Sequence, residues 1–106
     1  TPPNDAEGCL QDIHWASGYF GYFPTYALGN MYAAQYFAAF VASFPDWEVQ
    51  VTNGSFSFIN NWLRQHIHQF GRMYTVQQSM QQVTGHSISV APYKDYITKK
   101  YSNLFI

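Results

Sequence analysis

Six side chains able to hold or pass a proton fall within sixteen positions: Gln11, Asp12, His14, Tyr19, Tyr22 and Tyr26. They stand among Trp15, Phe20 and Phe23, with Gly18 and Gly21 between them. A phenol or an imidazole can donate a hydrogen bond to a developing oxyanion while its ring stays in an apolar wall. A carboxylate two residues from the imidazole can orient or charge it. In an extended Leu10–Trp15 segment Leu10, Asp12 and His14 would share one face, because alternate residues of a strand do. Glycines permit turns that residues with a Cβ resist. The same residues also suit a plain aromatic packing corner, and on residue types alone both readings stand.

The other candidates are weaker. His66 and His68 would point about 200° apart on a helix, so one ion cannot take both. Zinc-binding helices space two histidines four apart around a Glu, and this chain has no such motif. His66 is expected on the apolar flank of its helix and His68 at the opposite surface. His86 follows Gly85 in a polar turn, and Arg64 and Arg72 read as solvated or locally paired. Cys9 has no basic neighbour in sequence to activate it. No metal site is expected within these residues.

Composition limits what the chain can be. At 106 residues it is one domain at most. A formal net charge of −1 with no basic stripe argues against nucleic acid and acidic membrane surfaces as partners. A single cysteine allows no internal disulfide and suits a reducing compartment. Charged residues make up 10% of the chain, against about 25% in soluble domains generally. Such a surface is expected to be partly hidden, either in a larger protein or in an obligate oligomer. The start at Thr1-Pro2-Pro3 carries no initiator Met or signal pattern, and reads as a piece of a longer chain.

The elements that must carry the cluster read as helices. Residues 1–7 form a linker or fraying end, and Leu10–Trp15 alternates weakly like a strand. Pro24 suits a first helical turn and restricts Phe23 to extended conformations. A helix then runs from about Thr25 to Phe44, apolar almost all round. It is near the length that crosses a membrane, but Gly29-Asn30 and Gln35 interrupt it, its tyrosines are not gathered at its ends and no Lys or Arg flanks it. No membrane association is expected. Trp47–Asn53 reads as a connection. Ser55 is expected to cap a second helix through Phe56, Ile59, Trp62, Leu63, Ile67 and Phe70, ended by Gly71. A third starts at Thr75, turns Val76, Met80 and Val83 inward and stops at Gly85. A fourth runs from about Pro92 to Ser102, with Tyr93, Tyr96, Ile97 and Tyr101 on one face and Lys99 and Lys100 near its end. The fold class is all-α, about four helices after a short extended, Gly-aromatic stretch.

Gly8-Cys9-Leu10-Gln11-Asp12-Ile13-His14-Trp15 resembles the GxxQDxHW motif of the thermostable carboxypeptidase (carboxypeptidase Taq) family of zinc metallopeptidases. Gly21–Tyr26, Leu28–Gln35, Trp62-Leu63, Ile67-His68, Gly71, Tyr74, Thr84-Gly85 and Lys100-Tyr101 are similar to that family too. At Ser55 the chain departs from it, where the family tends to carry Asp, a difference expected to touch a helix cap. The resemblance implies the C-terminal segment of a larger, mostly helical, zincin-like metallocarboxypeptidase, cytoplasmic and commonly a homodimer. Its parent would hold zinc, or another divalent metal, on an HExxH helix that this chain lacks, and would release C-terminal residues from peptides. By this resemblance residues 8–26 form an active-site wall and 27–106 a helical scaffold. Tyr22 is then expected as an oxyanion donor, Tyr19 as the alternate and His14 as a catalytic substrate contact. Gln11 and Asp12 would position His14, and Gln11, Asp12 and Tyr26 would line the substrate side. The rival reading is a non-catalytic, aromatic-rich helical interaction module.

Overall fold

The structure is a computed structural model and describes residues 1–104. Among these residues the chain is all-α, as the pattern predicts. Six α-helices follow one another: α1 (Ile13–Ala16), α2 (Pro24–Ser43), α3 (Trp47–Thr52), α4 (Ser57–His66), α5 (Val76–Thr84) and α6 (Ala91–Tyr101). Short 3-10 turns stand at Asp5–Glu7, Cys9–Gln11, His68–Phe70 and Ser102–Leu104.

The 20-residue α2 is the spine. Pro24 opens it, where the missing N–H costs nothing. Its alanines let α5 and α6 pack closely, and both lie against it. Phe40 is the centre of an aromatic cluster, its ring 5.7 Å from Phe58 and 5.5 Å from Trp62. Met80 of α5 is fully buried. α5 is fixed at both ends: Thr75 and Gln78 form a reciprocal capping box, and Gly85 closes the helix at φ 73°.

Gln35 ties the scaffold together. It is 4% exposed. Its amide nitrogen donates to the Ser87 carbonyl at 2.9 Å and to the Thr84 hydroxyl at 3.4 Å, and its oxygen accepts from the Ser89 backbone N–H at 2.9 Å. The residue that interrupts an apolar helix in sequence therefore clamps the α5–α6 connection onto α2.

Several local expectations are corrected. Cys9–Gln11 and Ile13–Ala16 are helical turns, and only Asp12 between them is extended, at φ −104° and ψ 128°. Asp12 caps α1 instead of continuing a strand, because its carboxylate accepts the His14 backbone N–H at 2.8 Å. Phe23 is helical (φ −54°, ψ −34°) despite preceding Pro24; its ring packs 4.9 Å from His14 and 5.9 Å from Trp15, and this packing outweighs the local preference. Trp47–Thr52 is a helix and not a connection, docked by the Trp47 ring on Phe37 at 5.3 Å. Ser55 caps nothing: its N–H bonds to the Gln50 carbonyl, closing the turn after α3, and α4 begins at Ser57 without a side-chain cap. α4 ends at His66, four residues early, and the 3-10 turn that follows brings Phe70 to 5.3 Å from Tyr74. Gly71 still ends the segment, at φ 51°. Val76 is exposed, not inward. The first residues are not a plain linker: Asn4 caps the Asp5–Glu7 turn, accepting from the Glu7 N–H at 3.0 Å.

The molecule exposes far more than a self-contained domain of its size. Its accessible surface is 8290 Å², whereas a compact protein of 12.2 kDa exposes about 6,000 Å². Its radius of gyration is 18.2 Å, against about 13 Å for a compact chain of about 100 residues. Phe37, Phe56, Met73 and Val76 lie on the surface. These helices form a layer whose outer faces suit further packing.

Candidate functional site

The site begins with a cap. Asp12 is extended, so its side chain folds back over the start of α1. One carboxylate oxygen then meets both the backbone N–H and the Nδ1 of His14. The His14 backbone N–H holds the Asp12 carboxyl below its usual range, reinforced by the imidazole hydrogen bond and then its charge. The pairing predicted for a strand is thus present on a helix cap.

A one-turn helix needs an immediate reversal to bring later residues back over it. Ser17 N–H bonds to the Ile13 carbonyl, Gly18 N–H to Trp15 and Tyr19 N–H to His14. Gly18 and Gly21 take φ of 73° and 77°, which only glycine adopts without strain. The chain then enters α2, with Tyr26 on its first turn.

These turns place four rings around His14. Phe23 is nearest at 4.9 Å, Tyr22 stacks at 5.6 Å, and Tyr26 and Tyr19 approach edge-on at 5.9 and 6.2 Å. The Tyr26 hydroxyl lies 3.0 Å from His14 Nε2. Asp12, His14 and Tyr26 therefore form one hydrogen-bonded chain. Among the described residues Tyr26 is the only one of these three tyrosines whose hydroxyl is hydrogen-bonded within the chain. Tyr19 and Tyr22 are 59% and 46% exposed as residues, which leaves their hydroxyls available to another molecule.

Of the residues singled out in sequence, Asp12, His14, Tyr19, Tyr22 and Tyr26 come together. Gln11 is engaged elsewhere, its amide donating to the Ala6 carbonyl. Phe23 is a part of the wall that residue types did not suggest. Its position before Pro24 was the available signal, but an extended Phe23 would have pointed that signal the wrong way.

No group of three or more His, Cys, Asp or Glu side chains among the described residues could hold a metal ion. His14 is joined to Asp12 and Tyr26. His66 stacks on Trp62 at 4.8 Å, and His68 lies beyond the end of α4 in the following 3-10 turn. These residues do not fit a zinc site. A groove of about 410 Å³ between α2, α3 and α4 is lined by Phe37, Phe40, Trp47, Ile59, Trp62 and Leu63, and shares no residue with the corner. Its lining is apolar and suits packing more than chemistry. No described helix is long and apolar enough to cross a membrane.

Known proteins are similar to this chain in sequence and in fold. Residues 1–101 match the family described as carboxypeptidase Taq (M32) metallopeptidase. Carboxypeptidase 1 of Bacillus subtilis is 42% identical over 106 residues, covering 100% of this chain and 21% of that protein. Thermostable carboxypeptidase 1 of Thermus thermophilus is 40% identical over 105 residues, covering 99% and 21%. The BsuCP crystal structure superposes with a TM-score of 0.87 at 42% identity, over 100% of this chain and 21% of the other. The chain thus spans about a fifth of the length of these relatives. With the match running from Thr1 to Tyr101 and the all-α layer reproduced in a solved relative, the chain belongs to the carboxypeptidase Taq (M32) family of metallopeptidases.

Proposed function

We propose that this chain forms one wall of the active-site cleft of a zinc metallocarboxypeptidase that releases C-terminal amino acids from peptides. The observation that carries the reading is the placing of exposed Tyr19 and Tyr22 rings against an Asp12-oriented His14. Preorganised donors at the edge of an apolar wall are what a tetrahedral intermediate requires. Similarity to two proteins named carboxypeptidases supplies the reaction class.

In this reading Tyr22 donates to the oxyanion, with Tyr19 as the alternate, and His14 contacts the substrate. Asp12 orients His14, and Gln11 steadies the loop beneath through Ala6. The zinc, which would polarise the scissile carbonyl and activate water when bound, is assigned to the remainder of a longer chain bearing an HExxH helix. That remainder would also cover the excess surface of this layer. The parent is further proposed to work as a cytoplasmic homodimer.

The test uses the longer protein that contains this chain. It should release the last residue of a peptide with a free C-terminus and spare the same peptide amidated there. Tyr22→Phe should lower kcat by about 10- to 1000-fold, the range for loss of one oxyanion donor. Unchanged turnover in that variant would remove Tyr22 from the role, and indifference to C-terminal amidation would remove the carboxypeptidase reading.

A further inference from the structure

We propose that Tyr26 is a hydrogen-bond acceptor for a peptide N–H of the substrate, made so by the Asp12–His14 pair that turns its hydroxyl hydrogen inward. The inference rests on the cleft-wall reading above and names the substrate group that one residue of that wall recognises.

Three side chains share their hydrogens in sequence from Asp12 through His14 to Tyr26. An ionised carboxylate has only acceptor sites. Asp12, held in its ionised form by two hydrogen bonds from His14, therefore requires the hydrogen of the ring on Nδ1. A neutral imidazole protonated on Nδ1 carries a lone pair on Nε2. Tyr26 oxygen stands 3.0 Å from that nitrogen, so the phenol donates there. Its one hydrogen is then spent, and its outward side carries oxygen lone pairs only. The edge-on packing of Tyr26 against the His14 and Tyr22 rings, at 5.9 and 5.5 Å, holds the phenol in that orientation.

The hydroxyls of the wall consequently differ in what they can offer. Among the described residues Tyr19 and Tyr22 have no hydroxyl partner, so each can donate to a carbonyl or oxyanion. Tyr26 accepts. A peptide offers carbonyl and N–H groups alternately along its backbone, so a wall with both characters can fix the register of an extended substrate.

Two measurements on the longer protein test this. Heteronuclear NMR of isotope-labelled histidine, with His14→Gln identifying the resonances, should show a His14 ring that carries its hydrogen on Nδ1 and none on Nε2. A ring protonated on Nε2, or on both nitrogens, would turn the Tyr26 hydrogen outward and overturn the proposal whether or not the protein is a peptidase. The second measurement N-methylates a peptide substrate one amide at a time. One position should raise KM about tenfold in the wild type, the loss of a neutral hydrogen bond, and should carry no such penalty in Tyr26→Phe. Equal penalties in both proteins at every position would overturn the assignment while leaving the carboxypeptidase reading intact. A protein that cleaves none of the unmodified peptides would overturn that reading and the substrate role of Tyr26 together, and the NMR result would still report whether the proton chain exists.

Discussion

Two polar clusters in this chain spend their hydrogen-bonding groups in opposite ways. Gln35, on the spine helix, is buried and uses both ends of its amide on Thr84, Ser87 and Ser89. The corner around His14 is satisfied on one side only. Asp12 and Tyr26 close off the imidazole, and the exposed Tyr19 and Tyr22 leave their hydroxyls to solvent or a ligand. Burying a polar group without partners is costly, so a buried amide with full partners contributes to structure. A preorganised group with unused hydrogen-bonding capacity has something left to give a substrate. The contrast separates scaffold from site more sharply than residue type does, because neither Gln nor Tyr is by itself a mark of function.

The largest expected effect tests the scaffold side. Gln35→Ala removes three hydrogen bonds and strands the Ser89 N–H and Ser87 carbonyl. The local opening free energy of the α5–α6 connection in the longer protein should fall by about 2–4 kcal/mol. Hydrogen exchange at residues 85–90 measures it. The NMR signature of His14 should stay as in the wild type. A change at His14 with unaltered exchange at 85–90 would break the division between the two regions.

Thr75→Ala should have a smaller effect of the same kind. The capping box satisfies the first turn of α5 from both directions, and losing such a cap costs about 1 kcal/mol. Faster exchange confined to the start of α5, with turnover per folded molecule unchanged, is the expected result. Lost turnover would show that α5 reaches the site.

What could be seen in the sequence follows the same division between local and distant causes. Pro24, Thr75 and Gly85 act on their own neighbours, so the starts of α2 and α5 and the end of α5 were where the residues put them. α3 was missed because six residues without a side-chain cap depend on Trp47 meeting Phe37 ten positions earlier. The clamp was invisible for a stronger reason. The partners of Gln35 lie about fifty residues away, and nothing local distinguishes it from a solvated glutamine. At the corner, the residue types came from the sequence, but the alternation of Leu10 to Trp15 suggested the wrong backbone. A strand and a capped helical turn both bring Asp12 to His14, which is why the pair was visible and its geometry was not. The family motif was more specific than periodicity here, since it covers residues that no single element holds.

The smallest expected effect lies with Asp12→Asn, and its value is in its direction with pH. Hydrogen bonds from His14 hold the folded Asp12 carboxyl below its unfolded value, which is about 3.9. A depressed carboxyl stabilises the fold above the unfolded pKa and loses that contribution as pH falls through the folded one. Stability of the α1 corner should therefore decline in the wild type as pH drops below about 4. Asn keeps an oxygen for the His14 backbone N–H and is as good a cap, so at neutral pH the local stability should fall only by the small contribution that the wild type loses in acid. The acid decline should flatten in the variant, and the wild-type-minus-variant difference isolates Asp12 from other carboxyls. Hydrogen exchange at residues 14–19 between pH 3 and 7 reads both limbs. The variant should still shift the His14 tautomer, because a neutral amide can donate to the ring as well as accept from it. Asp12 would then be nearly dispensable for the fold at neutral pH and decisive for the proton arrangement of the wall, the reverse of what is expected for Gln35.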